Sequence, residues 1–260
     1  MDLQLKDKVV LVTGGAKGIG AAITKICAQE DAIAVVVDRD VPACQQLQTE
    51  LTAQGVQTRF IATDLSSPEN CEAVVRQVIA SVDYINALVN NAGVNDRVGL
   101  EHGNPQEFLF SLERNLLHYY NMAHYALPHL KRTRGSIVNI SSKTAVTGQG
   151  GTSGYVASKG AILGLTREWA AELLPYSIRV NAVIPAEVMT PLYQQWLDTF
   201  PDPQEKLKSV VAKIPLDRRM TTPDEVAAMV AFLISEKAGH ITGQHLFVDG
   251  GYVHLDRTLT

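Results

Sequence analysis

The sequence has few of the features that mark secreted, membrane-bound or nucleic-acid-binding proteins. Its three cysteines, Cys27, Cys44 and Cys71, are far apart and form no Cys-x-x-Cys pair, so they predict reduced structural thiols. No run reaches the roughly 18 apolar residues of a membrane span, and the first residues show no signal-peptide pattern. The net charge of -4, with acids and bases interspersed, offers no basic face to nucleic acid or to a membrane. We therefore expect a soluble cytoplasmic protein with a small-molecule partner.

Internal boundaries and metal-binding spacings are also missing. There is no Pro/Ser-rich tract, repeat, charge block or low-complexity segment, so the 260 residues predict one domain. His118, His124 and His129 do not share a helical face, and no His-Glu-x-x-His is present, so we predict no metal site.

Short apolar runs alternate with segments of helical periodicity along the chain. Strands are predicted at KVVLVTGG, AIAVVVDRD, VQTRFIATDL, INALVNNAG, SIVNISS, YSIRVNAVIP and GQHLFVDGG. The alternation predicts an α/β fold, a single doubly wound Rossmann-type domain with a seven-stranded parallel sheet and helices on both faces. Ligands bind beyond the carboxyl ends of such strands, where Asp38, Asp64, Asn91 and Ser142 lie.

A glycine-rich turn follows the first predicted strand. Gly14, Gly18 and Gly20 in TGGAKGIG let the backbone approach a pyrophosphate at the positive end of the next helix. The spacing G-x-x-x-G-x-G departs from the G-x-G-x-x-G dinucleotide fingerprint but keeps its mechanism. The turn therefore predicts a dinucleotide cofactor.

Asp38 ends the second predicted strand. A carboxylate there accepts hydrogen bonds from the adenosine ribose and repels a 2′-phosphate, which favours NAD. The alternative is that Asp38 caps the helix that begins at VPACQQL. Lys17 and Arg39 would instead attract a 2′-phosphate, so NADP stays possible.

Two later strand ends extend the predicted cofactor site. Asp64 either contacts the adenine amino group or caps the helix of SSPENCEAVV. The small residues of Asn91, Ala92 and Gly93 predict a second close approach of the backbone to the cofactor.

A hydroxyl, a phenol and an ammonium are grouped between Ser142 and Lys159. Tyr155 and Lys159 are four apart on a predicted helix and share a face, while the Gly-rich TGQGGTSG turns the chain back toward Ser142. A nearby ammonium would supply the roughly 4 kcal/mol needed to lower the phenol pKa by about three units. Ser142 would hold a substrate oxygen while Tyr155 moves its proton, which suits hydride transfer. The alternative is an ordinary Tyr-Lys pair on a solvated helix.

Asn115 and the segment 186–215 complete the predicted site. Asn115 lies within the long amphipathic helix of NPQEFLFSLERNLLHYYNMAHYALPHLKRT, where it either faces solvent or holds a water that relays protons from Lys159. Residues 186–215 are broken by prolines and predict an irregular substrate lid, with Tyr193 and Trp196 as apolar walls. The tail YVHLDRTLT is expected on the surface or against a neighbouring subunit.

Taken together, TGGAKGIG, NNAG, Asn115, Ser142, Tyr155-x-x-x-Lys159 and VDGG resemble the short-chain dehydrogenase/reductase family over essentially the whole chain. The resemblance implies a homotetramer and a catalytic tetrad of Asn115, Ser142, Tyr155 and Lys159, with Tyr155 as the base in oxidation and Lys159 also on the nicotinamide ribose. The predicted cofactor contacts are Gly14, Lys17, Gly18, Ile19, Gly20, Asp38, Arg39, Asp64, Leu65, Asn91, Ala92, Gly93, Tyr155, Lys159, Pro185, Val188 and Thr190.

One departure from the family pattern favours a sugar substrate. The family usually has Pro-Gly after the sixth strand, whereas Pro185 and Ala186 are followed here by Glu187, a carboxylate beside the nicotinamide pocket. NISSKTAVTGQGGTSGY and GGYVHLDR are similar to strings of bacterial L-fucose dehydrogenases, which implies oxidation of the anomeric carbon of an aldose to an aldonolactone. The predicted substrate contacts are Asn95, Ser142, Lys143, Thr144, Gln149, Tyr155, Glu187, Tyr193 and Trp196, with Asp96 and Arg97 on the same crevice.

Two other functions stay open at this point. A 3-oxoacyl thioester or hydroxysteroid dehydrogenase/reductase of the same family predicts a more apolar pocket and NADPH. A cofactor-binding regulatory protein without catalysis predicts no turnover, which the intact tetrad argues against.

Overall fold

The central feature of the computed structural model is a parallel sheet. Within the described residues, 2–56 and 58–256, seven strands pair in the order β3-β2-β1-β4-β5-β6-β7. The strands are β1 Val9–Thr13, β2 Ile33–Asp38, β3 Thr58–Ala62, β4 Ala87–Asn90, β5 Ser136–Ile140, β6 Arg179–Pro185 and β7 His245–Val248. All neighbouring pairs are parallel, which confirms the predicted doubly wound sheet.

Helices cover both faces of this sheet. They are α1 Gly18–Gln29, α2 Val41–Ala53, α3 Pro68–Val82, α4 Pro105–Leu112, α5 His118–Thr133, α6 Thr144–Thr147, α7 Ser153–Glu172, α8 Pro191–Leu197, α9 Pro203–Val211 and α10 Pro223–Ile234. Val9 and Leu11 of β1 pack with α3, α5 and α7, whereas Val10 and Val12 pack with α1 and α10. Because both faces are buried at the centre of the sheet, β1, β2 and β4 are nearly continuous apolar runs rather than alternating ones, whereas the edge strands β3 and β7 are only partly buried.

Two predicted strands are shorter than expected at their carboxyl ends. β2 ends at Asp38 as predicted, but β3 ends at Ala62 and β5 at Ile140. Asp64 and Ser142 therefore lie on loops that leave the sheet rather than in the strands. One strand-like contact continues past β5, because the Ser141 amide donates to the Val183 carbonyl at 2.9 Å.

The segment 186–215 is more regular than predicted. It contains α8 and α9, and the prolines Pro191 and Pro203 occupy the start of each helix, where a missing N–H costs nothing. The expectation of an irregular segment is therefore wrong. Thr190 caps α8 and Asp202 caps α9 through their side-chain oxygens.

The long predicted helix consists of α4, a π-helical turn over Glu113–Leu117, and α5. The predicted surface tail is described only through Asp256, and residues 257–260 lie outside the described residues. None of the described helices has the length and apolar composition that a membrane crossing requires.

Candidate active site

A crevice of about 1580 Å³ opens at the carboxyl ends of the strands. The loops after β1 to β6, together with α8 and α9, form its walls. Every predicted cofactor and substrate contact lines this crevice, including Ile19, Leu65 and Pro185. Among the predicted catalytic residues, Ser142, Tyr155 and Lys159 line it, whereas Asn115 does not. The structure thus brings the predicted site together, with Asn115 as a buried support.

The glycine turn after β1 leaves no room for side chains. Gly14 has φ +60°, and a Cβ there would lie 2.8 Å from the Cα of Ala92. A Cβ on Gly20 would lie 2.0 Å from the carbonyl oxygen of Gly14. The side-chain NH₂ of Asn91 donates to the carbonyls of Thr13 and Gly14 at 3.0 and 2.9 Å, which ties β4 to the turn.

The start of α1 suits an anion. Lys17 occupies the N-cap position of α1 but makes no side-chain capping hydrogen bond, so the first amide groups have no side-chain acceptor. Gly18, Ile19 and Gly20, which begin this helix, line the crevice. A pyrophosphate fits there, because helix N-termini carry partial positive charge. Thr190 packs closely against the start of α1, since a Cβ on Gly18 would lie 3.2 Å from the methyl group of Thr190.

Asp38 is held by the backbone at the end of β2. Its carboxylate accepts hydrogen bonds from the amides of Ala16 at 3.1 Å and Asp40 at 3.0 Å. Asp40, not Asp38, caps α2 by accepting from the Ala43 amide at 3.0 Å. The capping interpretation of Asp38 is therefore wrong, and its carboxylate lines the crevice.

Both basic residues near Asp38 are paired with acids. Lys17 lies 2.5 Å from Asp40, and this contact is the largest cause of the lowered pKa of Asp40. Arg39 lies 3.2 Å from Asp64. The positive charge that would attract a 2′-phosphate is thus partly neutralised.

Asp64 does not cap the helix that follows it. Ser67 caps α3 by accepting from the Asn70 amide at 3.2 Å. The Asp64 carboxylate accepts instead from the Ser66 amide at 2.8 Å, which is the main cause of its lowered pKa. Leu65, next to it, is buried and lines the crevice.

Asn115 lies in the π-helical turn and is fully buried, so the solvent-facing interpretation is wrong. Its side-chain NH₂ donates to the Ser111 carbonyl at 3.0 Å, and its oxygen accepts from the Val94 amide at 2.7 Å. The second bond fixes the loop after β4 at the crevice. π-helical turns of this kind are frequent at functional sites.

Ser142 is oriented by Thr144. The Ser142 hydroxyl oxygen accepts from the Thr144 amide at 3.3 Å and from its hydroxyl at 3.0 Å, so its own hydrogen is left for Tyr155 or a ligand. Thr144 is predicted to contact the substrate. In the structure it is buried, and its amide and hydroxyl both donate hydrogen bonds to Ser142.

The Tyr155 phenol lies in the first turn of α7 and is half-buried. Its pKa is raised to about 12, chiefly by burial; the hydrogen bond with Ser142 opposes the rise and the charge of Glu187 adds to it. The predicted lowering by Lys159 is not observed. Burial is the largest influence on the phenol and opposes its ionisation; the Lys159 nitrogen is 5.6 Å from the Tyr155 ring centroid.

The Lys159 ammonium points to the interior. It donates to the Tyr119 hydroxyl at 3.0 Å and to the Ile140 carbonyl at 2.8 Å. Burial lowers the pKa of Lys159 to about 7. Tyr119 is not among the residues predicted from sequence, although its position four residues after Asn115 on a predicted helix indicates that both side chains could face the same site.

A polar cluster of Lys143, Glu187, Tyr193 and Tyr252 lies beside Tyr155. Lys143 forms a largely buried ion pair with Glu187, and its nitrogen lies 3.8 Å from the Tyr252 ring centroid. Burial raises the pKa of Tyr193, and a hydrogen bond with Glu187 adds to the rise. Tyr252 was missed because it was assigned to a surface tail. Its position just past the end of β7 could have indicated it.

The other predicted substrate contacts form the rim. Tyr193 packs edge to face on Trp196 with ring centroids 5.0 Å apart. Gln149 is exposed, and the side chain of Asn95 accepts from the Arg97 amide at 3.2 Å. Arg97 lines the crevice, but Asp96 does not. Within the described residues, no cluster of three or more His, Cys, Asp or Glu could hold a metal ion.

The fold, the glycine turn and the Ser-Tyr-Lys group are those of a nucleotide-dependent oxidoreductase. A family model described as enoyl-(acyl carrier protein) reductase matches residues 14–253. This chain belongs to the short-chain dehydrogenase/reductase family, whose members bind NAD or NADP.

Three relatives bear on the substrate. L-fucose dehydrogenase of Bos taurus is 36% identical over 96% of this chain and 91% of its own length. A crystal structure of the dehydrogenase Cj0485 is 46% identical, with a TM-score of 0.94 over 100% of this chain and 99% of that one. Aldohexose dehydrogenase of Thermoplasma acidophilum is 33% identical, with a TM-score of 0.88 over 97% and 96%. The chain is thus similar to L-fucose dehydrogenases, here from a mammal rather than a bacterium.

Proposed function

We propose that this protein is an NAD-dependent sugar dehydrogenase that oxidises C1 of L-fucose or a related aldose to the aldonolactone. The observation that carries the proposal is the cluster of Lys143, Glu187, Tyr193 and Tyr252 beside Tyr155. A sugar presents several hydroxyls, each of which both donates and accepts hydrogen bonds. The charged pair and the phenols of this cluster are matched to such groups.

Two relatives support a sugar over an apolar substrate. The bovine relative is an L-fucose dehydrogenase and the Thermoplasma relative is an aldohexose dehydrogenase. An acyl chain or steroid laid against Lys143 and Glu187 would desolvate an ion pair without offering it hydrogen bonds, which is unfavourable.

The cofactor is proposed to lie across the glycine turn. The amides at the start of α1 would hold its pyrophosphate, Asp38 its adenosine ribose and Lys159 its nicotinamide ribose. When bound, the oxidised nicotinamide supplies the hydride acceptor and a positive charge beside the substrate.

In the proposed reaction, Ser142 and Tyr155 handle the C1 hydroxyl. The hydrogen of Ser142, left over after the two bonds from Thr144, is donated to the substrate oxygen. Tyr155 accepts the proton of that oxygen as C1 is oxidised. Since burial keeps the phenol protonated at neutral pH, the reaction depends on positive charge near Tyr155, to which Lys159 contributes.

NAD is proposed over NADP. Asp38 faces the crevice, and its charge would repel a 2′-phosphate. Lys17 and Arg39 are engaged by Asp40 and Asp64, so they are poorly placed to compensate.

We also propose a substrate lid at about 186–215 and a homotetramer in the cytoplasm. α8 and α9 border the crevice with Trp196 and Lys206. Leu109, Leu117 and Tyr120 are exposed apolar residues along α4, the π-helical turn and α5, which supports subunit contacts there. The three cysteines are free and buried, which favours a reducing compartment.

The experiment is a substrate panel. NADH formation is followed with L-fucose, L-galactose, D-arabinose, D-glucose and a secondary alcohol, and NADPH consumption with a 3-oxoacyl thioester. We expect turnover with L-fucose or its stereochemical relatives and a preference for NAD. Turnover of the thioester with NADPH, without turnover of any aldose, would establish the reductase alternative instead. Cofactor binding with no turnover at all would establish a non-catalytic protein.

A further inference from the structure

Tyr119 forms a hydrogen-bonded triangle with Lys159 and Ile140. Its side chain is fully buried at the start of α5. Its hydroxyl donates to the Ile140 carbonyl at 2.9 Å and accepts from the Lys159 ammonium at 3.0 Å. The same carbonyl accepts from Lys159 at 2.8 Å. Lys159 and Ile140 line the crevice, so the triangle joins the apolar core to the site.

The triangle uses two of the three N–H groups of the ammonium. Lys159 is 3% exposed, so water contributes little to the stability of its charge. The third N–H is left for the crevice, on the side of Tyr155 and the proposed nicotinamide ribose. Hydrogen bonds from charged groups are stronger than those between neutral groups. Losing one acceptor would therefore destabilise the protonated form of Lys159 relative to its neutral form.

The other titratable groups near Lys159 do not replace Tyr119. His118, beside it on α5, has a pKa lowered to about 4, chiefly by burial, and is neutral at pH 7. Burial raises the pKa of Tyr119 itself well above its usual value, so its hydroxyl stays a neutral acceptor. Tyr155 lies one turn before Lys159 on α7, with its ring centroid 5.6 Å from the Lys159 nitrogen, and Glu187 after β6 raises the pKa of Tyr155.

Buried polar groups hold the backbone of Tyr119 in place. The Asn90 side chain donates to the Tyr119 carbonyl at 3.4 Å and to the Asn139 side chain at 3.0 Å. Asn139 in turn donates to the Thr166 hydroxyl at 3.0 Å. α5, β4, β5 and α7 are therefore linked around the triangle, and the Tyr119 hydroxyl has a fixed position.

We propose that Tyr119 is a positioning residue that keeps Lys159 charged and directs its remaining N–H toward Tyr155. The inference rests on the proposed function for the role of Tyr155, but the contact between Tyr119 and Lys159 is independent of the substrate. Removing the Tyr119 hydroxyl should lower the pKa of Lys159. Tyr155 would then lose positive charge at neutral pH, and its phenolate would form only at higher pH.

The test compares Tyr119→Phe and Tyr119→Met with Tyr120→Phe. Tyr120 is the adjacent tyrosine of α5 and is 53% exposed, so it controls for the loss of a hydroxyl on the same helix. Tyr119→Met removes the hydroxyl with a flexible side chain, so the test does not depend on a single variant. Melting temperature and NAD binding are measured for each variant to identify folded protein.

The first readout is the Lys159 pKa itself, taken from the ¹³Cε resonance of labelled lysine and assigned by its loss in Lys159→Met. We expect a fall of about one pH unit in both Tyr119 variants and none in Tyr120→Phe. An unchanged Lys159 pKa in a folded Tyr119 variant would overturn the proposal. This readout needs no turnover, so it stands even where the wild-type protein oxidises no aldose and the proposed function fails.

The second readout is the pH profile of kcat/KM with the best aldose. We expect a loss of about tenfold at pH 7 in the Tyr119 variants, with the acid limb moved up by about half to one pH unit. A purely structural role would lower activity equally at all pH values and leave the limb in place, and that outcome would refute the assignment.

Discussion

The pKa of Tyr155 is set by influences of opposite sign. Burial and Glu187 favour its neutral phenol, whereas Ser142 favours the phenolate. Lys159, held at 5.6 Å from the ring, adds positive charge only when it is protonated, and burial lowers its pKa to about 7. The phenol therefore depends on its neighbours to act as a base near neutral pH.

Replacing Tyr155 with Phe removes the proposed base without removing the ring. We expect kcat to fall by about a hundredfold to ten-thousandfold, since general acid/base residues contribute factors of about 10² to 10⁴. NAD affinity, measured by fluorescence titration, should change less than about threefold. Retained turnover would contradict the role given to Tyr155.

Substitutions of Glu187 and Lys143 should shift the acid limb of the pH profile of kcat/KM in opposite directions. Glu187→Gln removes a negative charge that raises the pKa of Tyr155, so the limb should move to lower pH. Lys143→Met leaves Glu187 without its partner, so the limb should move to higher pH. Both variants should raise the KM of the sugar at least about tenfold. Shifts in the same direction in the two pH profiles would contradict this electrostatic account.

At the scale of elements, the ends of strands and helices decide both cofactor choice and local stability. Asp38 ends β2, while Asp40 begins α2 and engages Lys17. The two acids, two positions apart, therefore have different tasks, one toward the crevice and one toward the helix.

Cofactor choice should respond to charge at this turn. Asp38→Ser keeps an acceptor for the backbone amides but removes the charge that repels a 2′-phosphate, so the ratio of kcat/KM for NADP to that for NAD should rise at least tenfold. Adding Asp40→Asn releases Lys17 and should raise the ratio further. Steady-state kinetics with both cofactors measure it. An unchanged ratio in the double variant would rule out charge at this turn as the selector.

The capping box of α10 gives a pH-dependent stability. Thr222 and Glu225 cap each other's backbone amides, and Arg219 binds Glu225 at 2.6 Å. The pKa of Glu225 is lowered from 4.5 to about 2, chiefly by Arg219. The contribution of the Glu225 carboxylate to the free energy of unfolding should therefore be fully present above pH 4.5 and be lost as the pH falls toward 2.

Glu225→Gln should accordingly lower the melting temperature at pH 7 and leave it nearly unchanged at pH 2 where the fold persists. Glu107→Gln, at the same position of α4, controls for a first-turn glutamate without the Arg219 contact. Calorimetry over this pH range measures both variants. A loss for Glu225→Gln that is independent of pH would contradict the ion-pair explanation.

Element types and their order were predictable from sequence because strands buried on both faces are short apolar runs that alternate with amphipathic helices. The boundaries were less predictable. β3 and β5 end two residues before the acid and the serine that were assigned to them, since an apolar run does not reveal where the chain leaves the sheet. The prolines of residues 186–215 predict irregular chain, because proline interrupts a helix interior, but Pro191 and Pro203 lie at the starts of α8 and α9, where proline is tolerated.

Across the whole molecule, the rule that ligands bind at the carboxyl ends of parallel strands predicts the position of the crevice from sequence. It placed residues from distant parts of the chain, such as Asp38 and Ser142, in one site. It did not reveal how their side chains are partnered. The inward turn of Lys159 to Tyr119 and the position of Tyr252 over Lys143 depend on packing between elements far apart in sequence.

In the proposed reaction, the hydrogen on the anomeric carbon of an aldose leaves as hydride in the crevice beside Tyr155. The most direct measurement uses L-fucose carrying deuterium at C1, with NAD, and follows the label by mass spectrometry. We expect the deuterium to appear in the reduced cofactor and the sugar product to be the unlabelled lactone or its acid. Reduced cofactor without deuterium, together with a sugar product that keeps the label at C1, would contradict it.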